Sequence, residues 1–95
     1  MAASGSLTLL NLNSSRIGVE GAKALAAGVA ASGSLAELRL SSNQIGNEGA
    51  KAIADAVATS GSLTLLVLLR NNIGDAAEQL LRDAVQGREG FQLYV

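Results

Sequence analysis

Any chemistry performed by this chain has to come from carboxylates, lysines, serines and a single tyrosine, Tyr94. It contains no histidine and no cysteine. The commonest general base and metal ligand is therefore missing, and so are thiolate ligands and disulfides. Two glycine pairs, Gly18-x-x-Gly21 and Gly46-x-x-Gly49, bear a superficial likeness to phosphate loops. They lack the Lys-Ser/Thr of a P-loop and the full Gly-x-Gly-x-x-Gly fingerprint. Asn13-Ser14-Ser15 has the form of a glycosylation acceptor, read here as accidental because no secretion signal is evident. No serine–base pair and no pair of carboxylates recurs where a pocket is expected. The residues predict no enzyme, no cofactor and no metal site.

Composition narrows the partners. Seven basic residues face eight acidic ones, too few and too dispersed for the clustered positive charge of nucleic-acid binding. No apolar run approaches the ~20 residues of a membrane span. Met1-Ala2-Ala3-Ser4-Gly5 has neither the basic start nor the apolar stretch of a signal peptide. A cytoplasmic protein, contacting neither membrane nor nucleic acid, is expected. Hydrophobic residues make up 48% of the chain, with one Phe, one Tyr and no Trp, so the core must be aliphatic.

The elements that position these residues follow from an internal repeat. Ser4-Gly5-Ser6-Leu7 returns as Ser32-Gly33-Ser34-Leu35 and as Ser60-Gly61-Ser62-Leu63, each copy 28 residues after the last. One domain, 1–95, divides into repeats 4–31, 32–59 and 60–87, with a partial repeat 88–95. Leucines fall into columns: Leu7, Leu35, Leu63, then Phe91; Leu10, Leu38, Leu66, then Tyr94; Leu12, Leu40, Leu68. The last two columns lie two residues apart and share one face of a strand. Short strands are expected near 8–12, 36–40, 64–68 and 92–95. Three residues beyond each strand stand Ser15, Asn43 and Asn71. In leucine-rich repeats, which these columns resemble, an asparagine there turns inward and satisfies backbone groups of the loop, which are costly when left unpaired; Ser15 is too short to do so fully.

Ile17, Ile45 and Ile73 then enter the core. Gly18, Gly46 and Gly74 follow, where a positive φ or close approach is expected. Asn47 and Asp75 offer N-caps to helices over 20–30, 48–58 and 76–86, whose apolar residues recur at helical spacing: Leu25 and Val29, Ile53 and Val57, Leu81 and Val85. Gly21 and Gly49 suit tight packing in the first turn. Glu20 with Lys23, and Glu48 with Lys51, are spaced for helix-surface ion pairs.

The middle copy, Leu35-x-x-Leu38-x-Leu40-x-x-Asn43-x-Ile45-Gly46, resembles the leucine-rich-repeat pattern. Ile45-Gly46-Asn47-Glu48-Gly49-Ala50-Lys51-Ala52-Ile53-Ala54 is similar to the ribonuclease-inhibitor-type subfamily. The implied fold is α/β: a right-handed solenoid or horseshoe with a parallel concave sheet, convex helices, three full repeats and a terminal strand. Strands stack about 4.8 Å apart and helices about 8–10 Å, so such an array bends. The third copy carries Glu78, Arg82 and Gln86 where the second has Ala50, Ala54 and Ala58, which reads as a C-terminal capping repeat. The chain begins in mid-repeat, as expected for the C-terminal end of a longer array.

The resemblance implies a scaffold that binds a protein partner through its concave face. Strand residues pointing away from the core are Leu9, Asn11, Asn13; Glu37, Arg39, Ser41; Leu65, Val67, Leu69; and, from the fourth strand, Leu93 and Val95. The apolar set Leu65, Val67, Leu69, Leu93 and Val95 predicts a contact patch, with Glu37 and Arg39 beside it. The alternatives are a self-assembling unit, a homo-oligomer joined through its uncapped repeat ends and most simply a two-fold dimer, or a fragment of a larger sensor or scaffold.

Overall fold

The computed structural model describes residues 8–95. Strands and helices alternate: β1 Leu9–Asn11, α1 Gly18–Ala31, β2 Glu37–Arg39, α2 Gly46–Thr59, β3 Leu65–Val67, α3 Asp75–Ala84, β4 Gln92–Tyr94. The strands form one parallel sheet in the order β1-β2-β3-β4. All four sit within the spans expected for them. α1 and α2 start two residues earlier than expected, whereas α3 is four residues shorter than either.

β1, β2 and β3 pair at an offset of 28, with Leu10, Leu38 and Leu66 in one row. These leucines point into the layer between sheet and helices. The middle coil is sealed: Leu38, Leu40, Ile45 and Val57 are fully buried and Ile53 nearly so. Leu10, Leu12, Ile17 and Leu25 of the first coil pack on the same core but are only partly buried. The third coil is closed nearly as well, with Leu66 fully buried and Leu68 and Leu81 at 1%, so the open flank is the first coil, as expected where each coil can be covered only by its neighbours.

The loop after each strand is built around two left-handed residues: Ser14 and Arg16, Ser42 and Gln44, Arg70 and Asn72, with φ from 54 to 60°. Between each pair stands Ser15, Asn43 or Asn71. Asn43 Oδ1 accepts from the N–H groups of Ser15 (2.7 Å) and Ile17 (3.3 Å). Its Nδ2 donates to the carbonyls of Leu12 (2.8 Å) and Ser41 (3.2 Å). Asn71 repeats this one coil on, toward Asn43, Ile45, Leu40 and Leu69. Each asparagine therefore sews its own coil to the preceding one. Ser15 is exposed, and its hydroxyl reaches only Asn13 O at 3.4 Å.

Several local expectations need correction. Asn47 and Asp75 do not cap helices by side-chain hydrogen bonds. Gly18 and Gly46, both at φ 70°, instead turn their N–H groups onto the carbonyls of Asn43 and Asn71. Gly74 has φ −82°, and its N–H goes to Asn47 Oδ1 at 2.6 Å. Glu48 pairs across the helix interface with Lys23 at 3.3 Å rather than with Lys51. Lys23 also lies 3.7 Å from Glu20, as the spacing suggested. Gly49 is required for space: a Cβ there would stand 2.5 Å from Ile45 Cγ2 and 3.0 Å from Ala22 Cβ.

The largest correction concerns the fourth strand. β4 pairs with β3 at an offset of 27: Leu65 with Gln92, Leu66 with Leu93, Val67 with Tyr94. The cause lies in the connector. α3 stops at Ala84, and two consecutive turns close through Arg88 N–H to Val85 O and Phe91 N–H to Arg88 O. Gly87 and Gly90, at φ 84 and 79°, supply the left-handed residues. This path is one residue shorter than the route through a Ser-Gly-Ser triplet. Phe91, Leu93 and Val95 consequently pack against the core. Arg88 locks the connector down, with Nη2 donating to Val57 O (2.6 Å) and Ala58 O (3.1 Å) at the C-terminal end of α2. A cation there complements the helix dipole.

Candidate binding surface

The open face of the sheet reads in rows. The first is Leu9, Glu37, Leu65 and Gln92; the second is Asn11, Arg39, Val67 and Tyr94. Strand alternation sends these side chains away from the helices. A shallow depression of about 430 Å³ is lined by Glu37, Arg39, Leu65, Val67, Leu69, Gln92 and Tyr94. Of the seven residues expected at a binding site, the structure gathers five here. Leu93 and Val95 are not among them, because the one-residue shift in register turns them inward. Gln92 and Tyr94 take their places.

The patch is also less apolar than the leucine and valine spacing implies. Leu65 and Val67 are 9% and 8% exposed. They form a floor between the flanking strands instead of a greasy surface in water. Leu69 and Tyr94 are exposed by 44% and 49% and supply the accessible apolar area. Glu37 and Arg39 stand on the other side of the floor. Arg39 Nη2 lies 3.8 Å from Glu37 Oε2, too long for a hydrogen bond, and both side chains are partly exposed. Such a pair contributes little to stability and leaves both ends available to a ligand.

The helix face is different in kind. α1 and α2 meet along Ala26, Ala27, Ala30, Ala52 and Ala56, with Lys23, Asp55 and Thr59 at the rim. On α3, Arg82 and Glu78 form an ion pair at 2.6 Å, on positions corresponding to the buried Ala54 and Ala50 of α2. Among the described residues, no cluster of three or more acidic residues could hold a metal ion. No helix there is long and apolar enough to cross a membrane.

A sequence model described as leucine-rich repeat matches residues 4–26 and 33–54, covering the first two coils whose asparagine ties and columns are set out above. The fold is a leucine-rich-repeat solenoid. No curated protein sequence matches the chain. Among solved structures, this chain is similar to leiomodin-1 actin-binding site 2. The TM-score is 0.82 at 20% identity, covering 90% of this chain and 51% of that one. At that identity the likeness shows the fold alone. The chain spans about half the length of that structure. Domains of this family generally mediate protein–protein contact and are typically not enzymes.

Proposed function

We propose that this protein is an interaction module that binds a protein partner through the concave depression, with Leu69 and Tyr94 as anchors on a floor of Leu65 and Val67. The carrying observation is the placement of two exposed large apolar side chains on the rim of the described depression. Aromatic and aliphatic anchors over a desolvated floor are what concentrate binding energy at interfaces. Glu37, Arg39 and Gln92 complete a polar rim. The Gly-x-x-Gly-Ala-x-Ala segments and 28-residue unit support placement in the ribonuclease-inhibitor-type subfamily. The leiomodin likeness supports the fold on which this reading rests.

The test is a selection of short random peptides displayed on phage, carried out on the intact chain. Selected peptides should bind the folded Leu69→Glu/Tyr94→Ala variant more weakly by on the order of a hundredfold. Both positions are exposed, so circular dichroism should show an intact fold. Undiminished binding by the folded variant would remove the concave face from consideration.

A second reading, self-association through the first coil, has its own observation. Leu9 is 47% exposed, Leu10, Leu12, Ile17 and Leu25 are incompletely covered, and β1 is an edge strand. Leu7, expected on the same flank, lies outside the described residues. Edge strands with apolar flanks invite pairing, and joining like ends gives a closed dimer, whereas unlike ends risk open filaments. Light scattering should then show a mass that doubles with concentration. A constant monomer mass up to millimolar protein would discard this reading.

A further inference from the structure

We infer that the concave depression recognises an acidic, apolar-bearing peptide segment of another protein; this rests on the concave face being the binding surface. Charge is divided unevenly between the helices and the rest of the chain. The helices carry six of the eight carboxylates and only three of the seven basic residues: Lys23, Lys51 and Arg82. The strands and loops carry Arg16, Arg39, Arg70 and Arg88 against Glu37 and Glu89. The helices thus carry a net −3 and the strands and loops a net +2; Arg88 is spent on the end of α2, which leaves Arg39 on β2 and Arg16 and Arg70 in the loops after β1 and β3 against Glu37. Such asymmetry steers an acidic partner toward the sheet and away from the helices.

Arg39, Val67 and Tyr94 share one row across three adjacent strands. The Arg39 guanidinium makes no hydrogen bond to any described residue, only the loose 3.8 Å approach to Glu37. The Tyr94 hydroxyl likewise has no partner among the described residues. Two unspent donors thus flank an apolar floor residue, with their strands about 10 Å apart. A carboxylate above Val67 can engage both, and an arginine fork matches its planar oxygens. Leu65, Val67 and Leu69 then receive the neighbouring apolar side chain. Arg70, which directly follows Leu69 and is exposed, extends the positive field beyond the row. Glu37 opposes acid at the other end of the depression, so the preferred ligand places its acidic group on the Arg39 side.

The peptide selection described above also tests this inference. Peptides that lose binding to the Leu69→Glu/Tyr94→Ala variant should carry aspartate or glutamate beside a large apolar residue. Replacing those acids by the matching amides should weaken binding about tenfold or more. On the Arg39→Gln protein, acid and amide forms should bind alike. Concave-dependent peptides that are neutral or basic, or acidic ones indifferent to Arg39→Gln, would overturn the acidic preference and leave the concave site standing. A short DNA duplex bound as tightly as the peptides, with the same dependence on Leu69 and Tyr94, would overturn it in favour of a general polyanion site. Failure to select any concave-dependent peptide would overturn the preference and the concave site together.

Discussion

Asn71→Ala should lower the unfolding free energy by on the order of 3 kcal/mol, among the largest losses available to a single polar side chain here. The amide makes four hydrogen bonds: two received from Asn43 and Ile45, and two given to Leu40 and Leu69. Asn71 itself is 2% exposed. Its removal strands donors and acceptors that water reaches poorly, and it unties the second coil from the third. Asn43→Ala removes the same set of bonds one coil earlier, where the Ser15 loop is open to water, and should cost somewhat less. Ser15→Ala should cost under about 0.5 kcal/mol, as for an exposed residue away from special features. Urea denaturation of the three variants gives the comparison. Equal losses across the series would contradict the ladder's directional role.

The second large effect belongs to the leucine column. Leu38→Ala empties a fully buried site in the closed layer and should cost about 3–5 kcal/mol. Leu10→Ala, at the equivalent position in the first coil, should cost about 1–2 kcal/mol, because its side chain is already partly in water and the site can collapse. The same denaturation measurements report this ratio. Equal costs at low protein concentration would mean that the first coil is covered as well as the second. A Leu10→Ala loss that grows with protein concentration would instead show the flank buried against a second copy.

Why the architecture was readable is clear from these columns. Leucines at spacing two set the strand faces, isoleucine and valine at helical spacing set the helices, and the 28-residue interval aligned one coil with the next. The inward asparagine was legible through the resemblance to leucine-rich repeats, and its physical reason is that a tight loop near the core must satisfy its own backbone. The concave site was legible only in part. Leu65, Val67 and Leu69 announced themselves by alternation, but their exposure depends on neighbours in adjacent strands, which pattern within one strand does not report. The fourth strand's span was met but its register was not, because an interval of 28 was extended through a connector of different chemistry. Phe91-x-Leu93-x-Val95, with Gln92 and Tyr94 between, already alternates in the observed sense, and Gly87 and Gly90 already marked a different turn. Local alternation was the better guide there than the repeat interval. Asn72 apart, the left-handed pairs in the loops left little trace, since Ser14, Arg16, Ser42, Gln44 and Arg70 are not residues that favour positive φ. The Arg88 contact with the end of α2 spans 31 residues and has no signature in spacing.

Backbone amide shifts of the isotope-labelled chain, followed while a selected peptide is titrated in, test the concave site most directly. Perturbations should concentrate at residues 37–39, 65–69 and 92–94, with the outer faces of α1, α2 and α3 unmoved. Perturbations centred on the α1–α2 groove, with the sheet residues silent, would contradict the concave site.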